Sequence, residues 1–228
     1  TMMLSRDGYL KKMTERVLRK ATTLKYKDGD EPFIEFPSSN THELLVFTDQ
    51  RQVYKCKVAQ FEDTKSAQLG SYLPTDLGMD PDESVIWVID PEDYKADVLF
   101  VFENGRVARV ALAGYVTKTN RKRLKNAIYG GSKLLFATVL KEDRDLALVS
   151  SDQRLINFNT SLLKTKTTNS TQGVLAFTAK NGRIVTMVGT AEEFLGGTAS
   201  VEKFRAASLP SSGSPMKETD MKSLFDLE

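Results

Sequence analysis

Four times along the chain an apolar run meets a short polar turn and resumes as an alternating strand. The segments are residues 3–12 (MLSRDGYLKK), 44–57 (LLVFTDQRQVYKCK), 99–112 (LFVFENGRVARVAL) and 146–159 (LALVSSDQRLINFN). A run rich in Val, Ile, Phe and Tyr that is bounded by Asp-Gly, Asn-Gly or Pro-Asp reads as a strand at a hairpin. Aligning the turns puts Gly8, Gln50, Gly105 and Gln153 at one position. A second marker, a polar turn followed by a strongly apolar strand, is interleaved with the first. It falls at 27–36 (KDGDEPFIEF), 80–89 (DPDESVIWVI), 130–140 (GGSKLLFATVL) and 180–188 (KNGRIVTMV), which aligns Gly29, Asp82, Gly131 and Gly182. Both markers recur with a period of about fifty residues, the spacing of propeller blades and related arrays. Helical periodicity is weak, and only residues 14–21 predict a turn of helix, inside a basic loop.

The expectation is an all-β, propeller-like domain of about four repeats over residues 1–188. Residues 189–228 differ. Their Ser, Pro and Gly content rises at 208–215, and they are expected to dock as a tail on the domain.

Composition narrows the chemistry. The chain has 228 residues, 40% hydrophobic and 27% charged, enough for a sizeable core in a globular protein. No apolar run approaches the roughly 18 residues of a membrane helix. Residues 1–10 lack the apolar centre of a signal peptide. The single cysteine, Cys56, forbids an internal disulfide, fits a reducing compartment and reads as structural. The single histidine, His42, reads as a surface residue beside a strand start. One His and one Cys make neither the usual zinc site nor a convincing nucleophile–base pair. No phosphate loop, dinucleotide fingerprint or calcium loop is present. No catalytic or metal-ligating residue is assigned.

Net charge is only +2, but it is segregated. Residues 1–27 hold eight Lys/Arg and two acids, residues 28–105 hold five against seventeen, and residues 106–133 and 154–190 hold eight and five with no acid. The densest cluster, 118–125 (KTNRKRLK), follows the third hairpin. Its counterparts after the first and fourth are 11–27 and 164–166, whereas 59–69, after the second, carries only Lys65. Clustered cations displace counterions from phosphates, which drives nucleic-acid binding. Few aromatics interleave with them, which disfavours single-strand stacking and favours a duplex backbone. The candidate contacts are Lys11, Lys12, Arg16, Arg19, Lys20, Arg106, Arg109, Lys118, Arg121, Lys122, Arg123, Lys125, Arg154, Lys164 and Lys166. For Arg106 and Arg109, which lie on a strand, pairing with acids of a neighbouring repeat is the alternative.

At these hairpins the chain resembles the C-terminal repeats of the A subunits of bacterial type IIA topoisomerases, gyrase and topoisomerase IV. The resemblance is carried by SRDGYLKKM (5–13), the three later hairpins, and TNSTQGVLAF (168–177), which looks like that family's turn into a Gly-Val strand. It implies a β-pinwheel, in which blades exchange strands with their neighbours. It also implies a rim of Lys and Arg that binds and bends duplex DNA for ATP-dependent strand passage. The catalytic tyrosine is implied in the upstream part of the subunit, with ATP and magnesium used on other domains, so no cofactor is expected in this chain. The implied partners are DNA, the B subunit, and the rest of the A subunit, in the bacterial cytoplasm at the nucleoid, with no membrane. The sequence departs from the pattern twice. The glycine- and arginine-rich box of gyrase is missing from 17–27 (VLRKATTLKYK), which favours a topoisomerase IV-like role over full chiral wrapping. Four repeats are also fewer than the family's usual five or six, which fits an open ring or a sequence that omits part of one.

The rival reading is a protein-binding propeller of the WD-repeat or kelch kind. It lacks the Gly-His and Trp-Asp signatures, and the single Trp87 reads as core. A hydrolase on a propeller scaffold is disfavoured by the shortage of histidine. The C-terminal MKSLFDLE faintly resembles a sliding-clamp peptide but lacks its Gln, and a docked amphipathic end is the simpler reading.

Overall fold

The computed structural model describes residues 1–178, 180–196 and 200–221. The chain runs β1 (Met2–Ser5), β2 (Tyr9–Lys12), α1 (Glu15–Lys20), β3 (Pro32–Phe36), β4 (Glu43–Thr48), β5 (Val53–Lys57), β6 (Ser71–Tyr72), α2 (Leu73–Asp76) and β7 (Val85–Ile89). It continues through β8 (Asp97–Phe102), β9 (Arg106–Ala111), β10 (Arg123–Leu124), β11 (Leu134–Leu140), β12 (Asp145–Ser150) and β13 (Arg154–Asn159). Last come β14 (Val174–Leu175), β15 (Val185–Gly189), α3 (Ala191–Phe194) and β16 (Ser214–Pro215). Among the described residues these strands form four antiparallel sheets of four, ordered β3-β1-β2-β6, β10-β5-β4-β7, β11-β8-β9-β14 and β15-β12-β13-β16. The all-β class and the four repeats are as the sequence predicts.

Each sheet is built the same way. The first sequence marker forms the central hairpin. The tip residues Gly8, Arg51, Gly105 and Gln153 have φ of 89°, 61°, 82° and 56°. Each donates its N–H to the carbonyl three residues back, at 3.2, 3.1, 3.0 and 3.0 Å. The structure thus puts Arg51, not Gln50, in register with the other tips. A long side chain in the left-handed region gave no sequence signal, because Gly and Asn are the residues that announce it.

The second marker forms one outer strand, three residues after Gly29, Asp82, Gly131 and Gly182. In each sheet its first residue meets the end of the hairpin's first strand across a register shift: Pro32 with Ser5, Val85 with Thr48, Leu134 with Phe102 and Val185 with Ser150. The fourth strand comes from further along. After the second, third and fourth hairpins a turn and a loop lead to a two-residue strand that pairs with the hairpin before. So β6 joins β2, β10 joins β5 and β14 joins β9. The tail does the same job for the last sheet, where β16 joins β13. Equivalent bonds recur: the carbonyls of Gly8, Arg51, Gly105 and Gln153 accept the N–H of Leu73, Ala127, Ala176 and Met216 at 3.0, 3.0, 2.9 and 2.9 Å.

The described residues divide into two compact units. One holds Thr1–Ala96 with Tyr115–Gly130, the other Asp97–Gly114 with the residues from Gly131 onward. In the first unit Met2, Leu4, Leu10, Leu44, Val46, Val58, Phe61, Leu73 and Val88 form the core. In the second, Leu99, Val101, Leu146, Leu148, Ile156, Phe158 and Phe177 do so. The inner strands β4, β8 and β12 bury all but their first residue. That explains their unbroken apolar runs: a strand covered on both faces shows no alternation. Each such side chain contributes about 1.5–3 kcal/mol through burial. Trp87 is core, edge-to-face with Phe33 at 5.1 Å. In the tail, Phe204 and Met216 pack with Leu155 and Leu195. The segment compared with a sliding-clamp peptide lies, apart from Met221, outside the described residues.

Candidate nucleic-acid interface

The segments after the first, third and fourth hairpins carry the cations; the last two of these also deliver the short strands β10 and β14, whereas the segment that delivers β6 carries only Lys65. After the first hairpin Thr14 caps α1, its hydroxyl accepting the Val17 N–H at 3.4 Å. This predicted turn of helix displays Arg16 and Lys20, exposed and without an ion pair, while Arg19 pairs with Glu15 at 2.8 Å and stays exposed. In the same unit the loop before β10 is fixed at both ends. Tyr115 is buried and donates its hydroxyl to the Ala127 carbonyl at 2.8 Å. The Lys55 N–H donates to the Lys122 carbonyl at 2.7 Å. Between these anchors Lys118, Arg121 and Lys122 project into solvent, followed by Lys125.

In the second unit the segment after β13 is clipped to β9. The Lys166 N–H donates to the Arg109 carbonyl at 2.8 Å, and the Ala111 N–H donates to the Lys166 carbonyl at 2.9 Å. Leu163 plugs the core, and the side chains of Lys164 and Lys166 stay exposed. Among the described residues Arg16, Lys20, Lys118, Arg121, Lys122, Lys125, Lys164 and Lys166 form neither an ion pair nor a side-chain hydrogen bond, so their charge faces water.

Six of the fifteen candidates are held inside the fold instead. Lys11 is 1% exposed and its ammonium bonds the Gln68 carbonyl, with Tyr26 alongside at 5.3 Å. Burial pulls its pKa below the ordinary lysine value. Lys12 bonds Asn40 at 3.0 Å and approaches Asp63 at 3.4 Å. Arg109 is clamped by Asp97 of its own hairpin at 2.6 Å and by Asp143, ahead of the next hairpin, at 2.7 Å; only the second is the neighbouring-repeat pairing named above. Arg106 reaches the Gly173 carbonyl at 3.5 Å. Arg154 donates to the carbonyls of Ser212 and Gly213 at 2.9 and 2.6 Å. Arg123 is gripped by Asp80 and Gln52 over the ring of Tyr54. The Arg123 hydrogen bond, then that of Gln52, holds the Asp80 carboxyl below the usual carboxylate range. Composition counted these six as surface charge, but a strand or loop cation within reach of a carbonyl or carboxylate turns inward.

The sequence reading missed Lys57, exposed at the end of β5 beside the 116–122 loop. Its signal was the outward position in the Lys55-Cys56-Lys57 alternation. Cys56 between them is buried, and desolvation, then the Glu43 charge, pushes its thiol up to about 12. His42 is half-buried, its Nδ1 2.8 Å from Asp90, so it is a paired residue and not a free surface histidine.

Four hairpins, each flanked by an outer strand and completed by a short strand from further along the chain, define a β-pinwheel. Solved structures share this fold. The C-terminal domain of DNA topoisomerase IV matches with a TM-score of 0.73 at 20% identity, over 96% of this chain and 74% of that one. The E. coli ParC C-terminal domain matches at 0.69 and 14%, over 96% and 94%, and the DNA gyrase A C-terminal domain at 0.61 and 17%, over 96% and 79%. In sequence the chain is similar to the A subunit of DNA topoisomerase 4. It is 27% identical to that of Bacillus subtilis over 125 residues and 23% identical to that of Staphylococcus aureus over 168. The two alignments cover 53% and 71% of this chain but only 16% and 21% of the relatives. No protein-family model matches the chain. Among the described residues no helix is long and apolar enough to cross a membrane.

Proposed function

We propose that this chain binds and bends duplex DNA without reading its sequence, as the C-terminal domain of a type IIA topoisomerase A subunit in the bacterial cytoplasm. The observation that carries the reading is the set of unpaired cations on three of the four post-hairpin segments: Arg16 and Lys20 after the first, Lys118, Arg121 and Lys122 after the third, and Lys164 and Lys166 after the fourth. Each is offered by a loop whose ends are fixed, so little side-chain and loop entropy is lost on contact with a phosphate. Contacts of this kind position a duplex and carry no base information. Bending 20–30 base pairs costs on the order of 1–6 kcal/mol, which distributed phosphate contacts offset.

In this reading the chain presents DNA to a strand-passage machinery on the B subunit, where ATP and magnesium act, together with the remainder of the A subunit. It carries no catalytic group of its own. The lack of a glycine- and arginine-rich box in 17–27 favours a topoisomerase IV-like role over one in wrapping.

Mobility shift of a linear duplex tests the reading. Replacing Lys118, Arg121 and Lys122 together by Ala is expected to weaken binding at least tenfold at moderate salt. The slope of log affinity against log salt should fall by roughly 0.9 for each phosphate left unneutralised. Unchanged affinity at low salt would overturn it. A protein-binding module would show no duplex shift at all.

A further inference from the structure

The loop that displays Arg121 and Lys122 does more than expose them. With β5 it walls a cleft of about 470 Å³, within the first unit, on the flank of the second sheet. Lys57, Arg121 and Lys122 border it together with Lys55, and Glu43 is the one carboxylate among the lining residues. Lys55 is the built part of the site. Its side chain is 9% exposed, with the ammonium 3.5 Å from Glu43, 3.4 Å from the Thr117 hydroxyl and 5.2 Å from the Tyr94 ring. Its own N–H fixes the Lys122 carbonyl, and the Thr117 hydroxyl donates to the Thr119 carbonyl at 2.9 Å, so the cationic wall is shaped before any ligand arrives.

Size and chemistry select the ligand. The volume falls in the range of small-molecule sites and exceeds what a single phosphate fills. Four cations against one carboxylate favour a multiply charged anion, because the Coulomb attraction grows with each charge in a partly desolvated cleft. The one lining aromatic, Tyr94, turns one ring face to Lys55 and bonds Glu43 through its hydroxyl at 2.8 Å, so it is tied to the wall's own charges.

We propose that this cleft binds a linear polyphosphate group of a small anion, and that this ligand competes with duplex DNA for Arg121 and Lys122. The competition rests on the DNA reading above, whereas the binding itself does not.

Titration calorimetry and amide NMR of the full chain with inorganic pyrophosphate test the site without DNA. Expected are one saturable site at 0.15 M salt, shifts centred on Thr117 and Thr119, and much weaker binding of orthophosphate. Lys57→Ala and Arg121→Ala should each weaken pyrophosphate at least fivefold, and Lys164→Ala should leave it unchanged. Lys57 is exposed at a strand end, so its variant keeps the fold, as the amide spectrum will show. Adenosine triphosphate binding like pyrophosphate supports recognition of the phosphate chain, and clearly tighter binding of the nucleotide overturns that assignment. Non-saturable binding, or binding indifferent to Lys57→Ala, overturns the site. In the second arm, saturating pyrophosphate should lower affinity for a linear duplex severalfold in the parent chain, and much less in Lys57→Ala. Undiminished duplex binding overturns the competition alone. A chain that binds pyrophosphate but no duplex overturns the DNA reading and leaves the cleft standing.

Discussion

Gly173 lies so close to β9 that a Cβ on it would stand 2.1 Å from the Val107 carbonyl oxygen, and its φ is +66°. The same device recurs one residue before two other short strands. A Cβ on Gly70 would meet the Leu10 carbonyl at 2.4 Å, and one on Gly213 the Leu155 carbonyl at 3.0 Å, both at positive φ. The short strands can reach the neighbouring hairpin because the residue that leads in has no side chain. Gly173→Ala is expected to destabilise the chain by about 2 kcal/mol or more, combining a backbone clash with a left-handed φ. Gly29→Ala has the strained φ of +83° but nothing within 4 Å, and should cost only about 1 kcal/mol. Urea midpoints of the two variants check the ordering.

Arg109 separates stability from binding. Its guanidinium sits between Asp97 and Asp143, with a side chain 17% exposed. Arg109→Ala leaves the largely buried Asp97 carboxylate without its cation, held among the described residues only by the Thr165 hydroxyl, and is expected to cost roughly 1–3 kcal/mol. Duplex affinity, measured where the variant is still folded, should not change. A tenfold loss of affinity in a folded variant would return Arg109 to the DNA-contacting set.

Lys11 and Lys166 make the complementary pair. Lys11→Met removes a buried ammonium and its bond to the Gln68 carbonyl, so the effect belongs to the melting temperature and not to DNA. Lys166→Ala removes an exposed charge whose backbone does the structural work, so the melting temperature should hold while duplex affinity falls by about the worth of one phosphate contact. The opposite assignment of effects would contradict the placement of these cations.

Cys56 gives a pH prediction. Desolvation lifts its pKa from 9.0 to about 12 in the folded chain. The unfolded thiol ionises first, so this contribution to stability is whole below about pH 9 and is lost as pH rises from 9 towards 12. Iodoacetamide at pH 8 should leave the native thiol unmodified and alkylate it in urea. Rapid labelling of native protein would mean the β5 region opens. Cys56→Ala should flatten the stability profile above pH 9 relative to the parent chain.

The hairpins and outer strands were legible because each of their strands spans four or more residues, enough for an apolar run or a period-two pattern to register. The exchange strands were not. Ser71–Tyr72, Arg123–Leu124, Val174–Leu175 and Ser214–Pro215 are too short to hold any period. Three of the four are announced only by a preceding glycine that looks like ordinary loop composition. Charge was legible as content, not as direction. The exposed cluster at 118–122 reads correctly from its density, whereas Lys11 and Arg154 point inward for reasons set by carbonyls 57 and 58 residues away along the chain.

Strand exchange also fixes how such a chain can change length. Because every sheet borrows its last strand from downstream, cutting out a stretch from one hairpin tip to the next joins equivalent positions. The following module then supplies the borrowed strand to a new neighbour. Loss or duplication of a whole period is therefore tolerated wherever the cut falls, while removal of a lone hairpin or a lone crossing loop orphans an edge in two places.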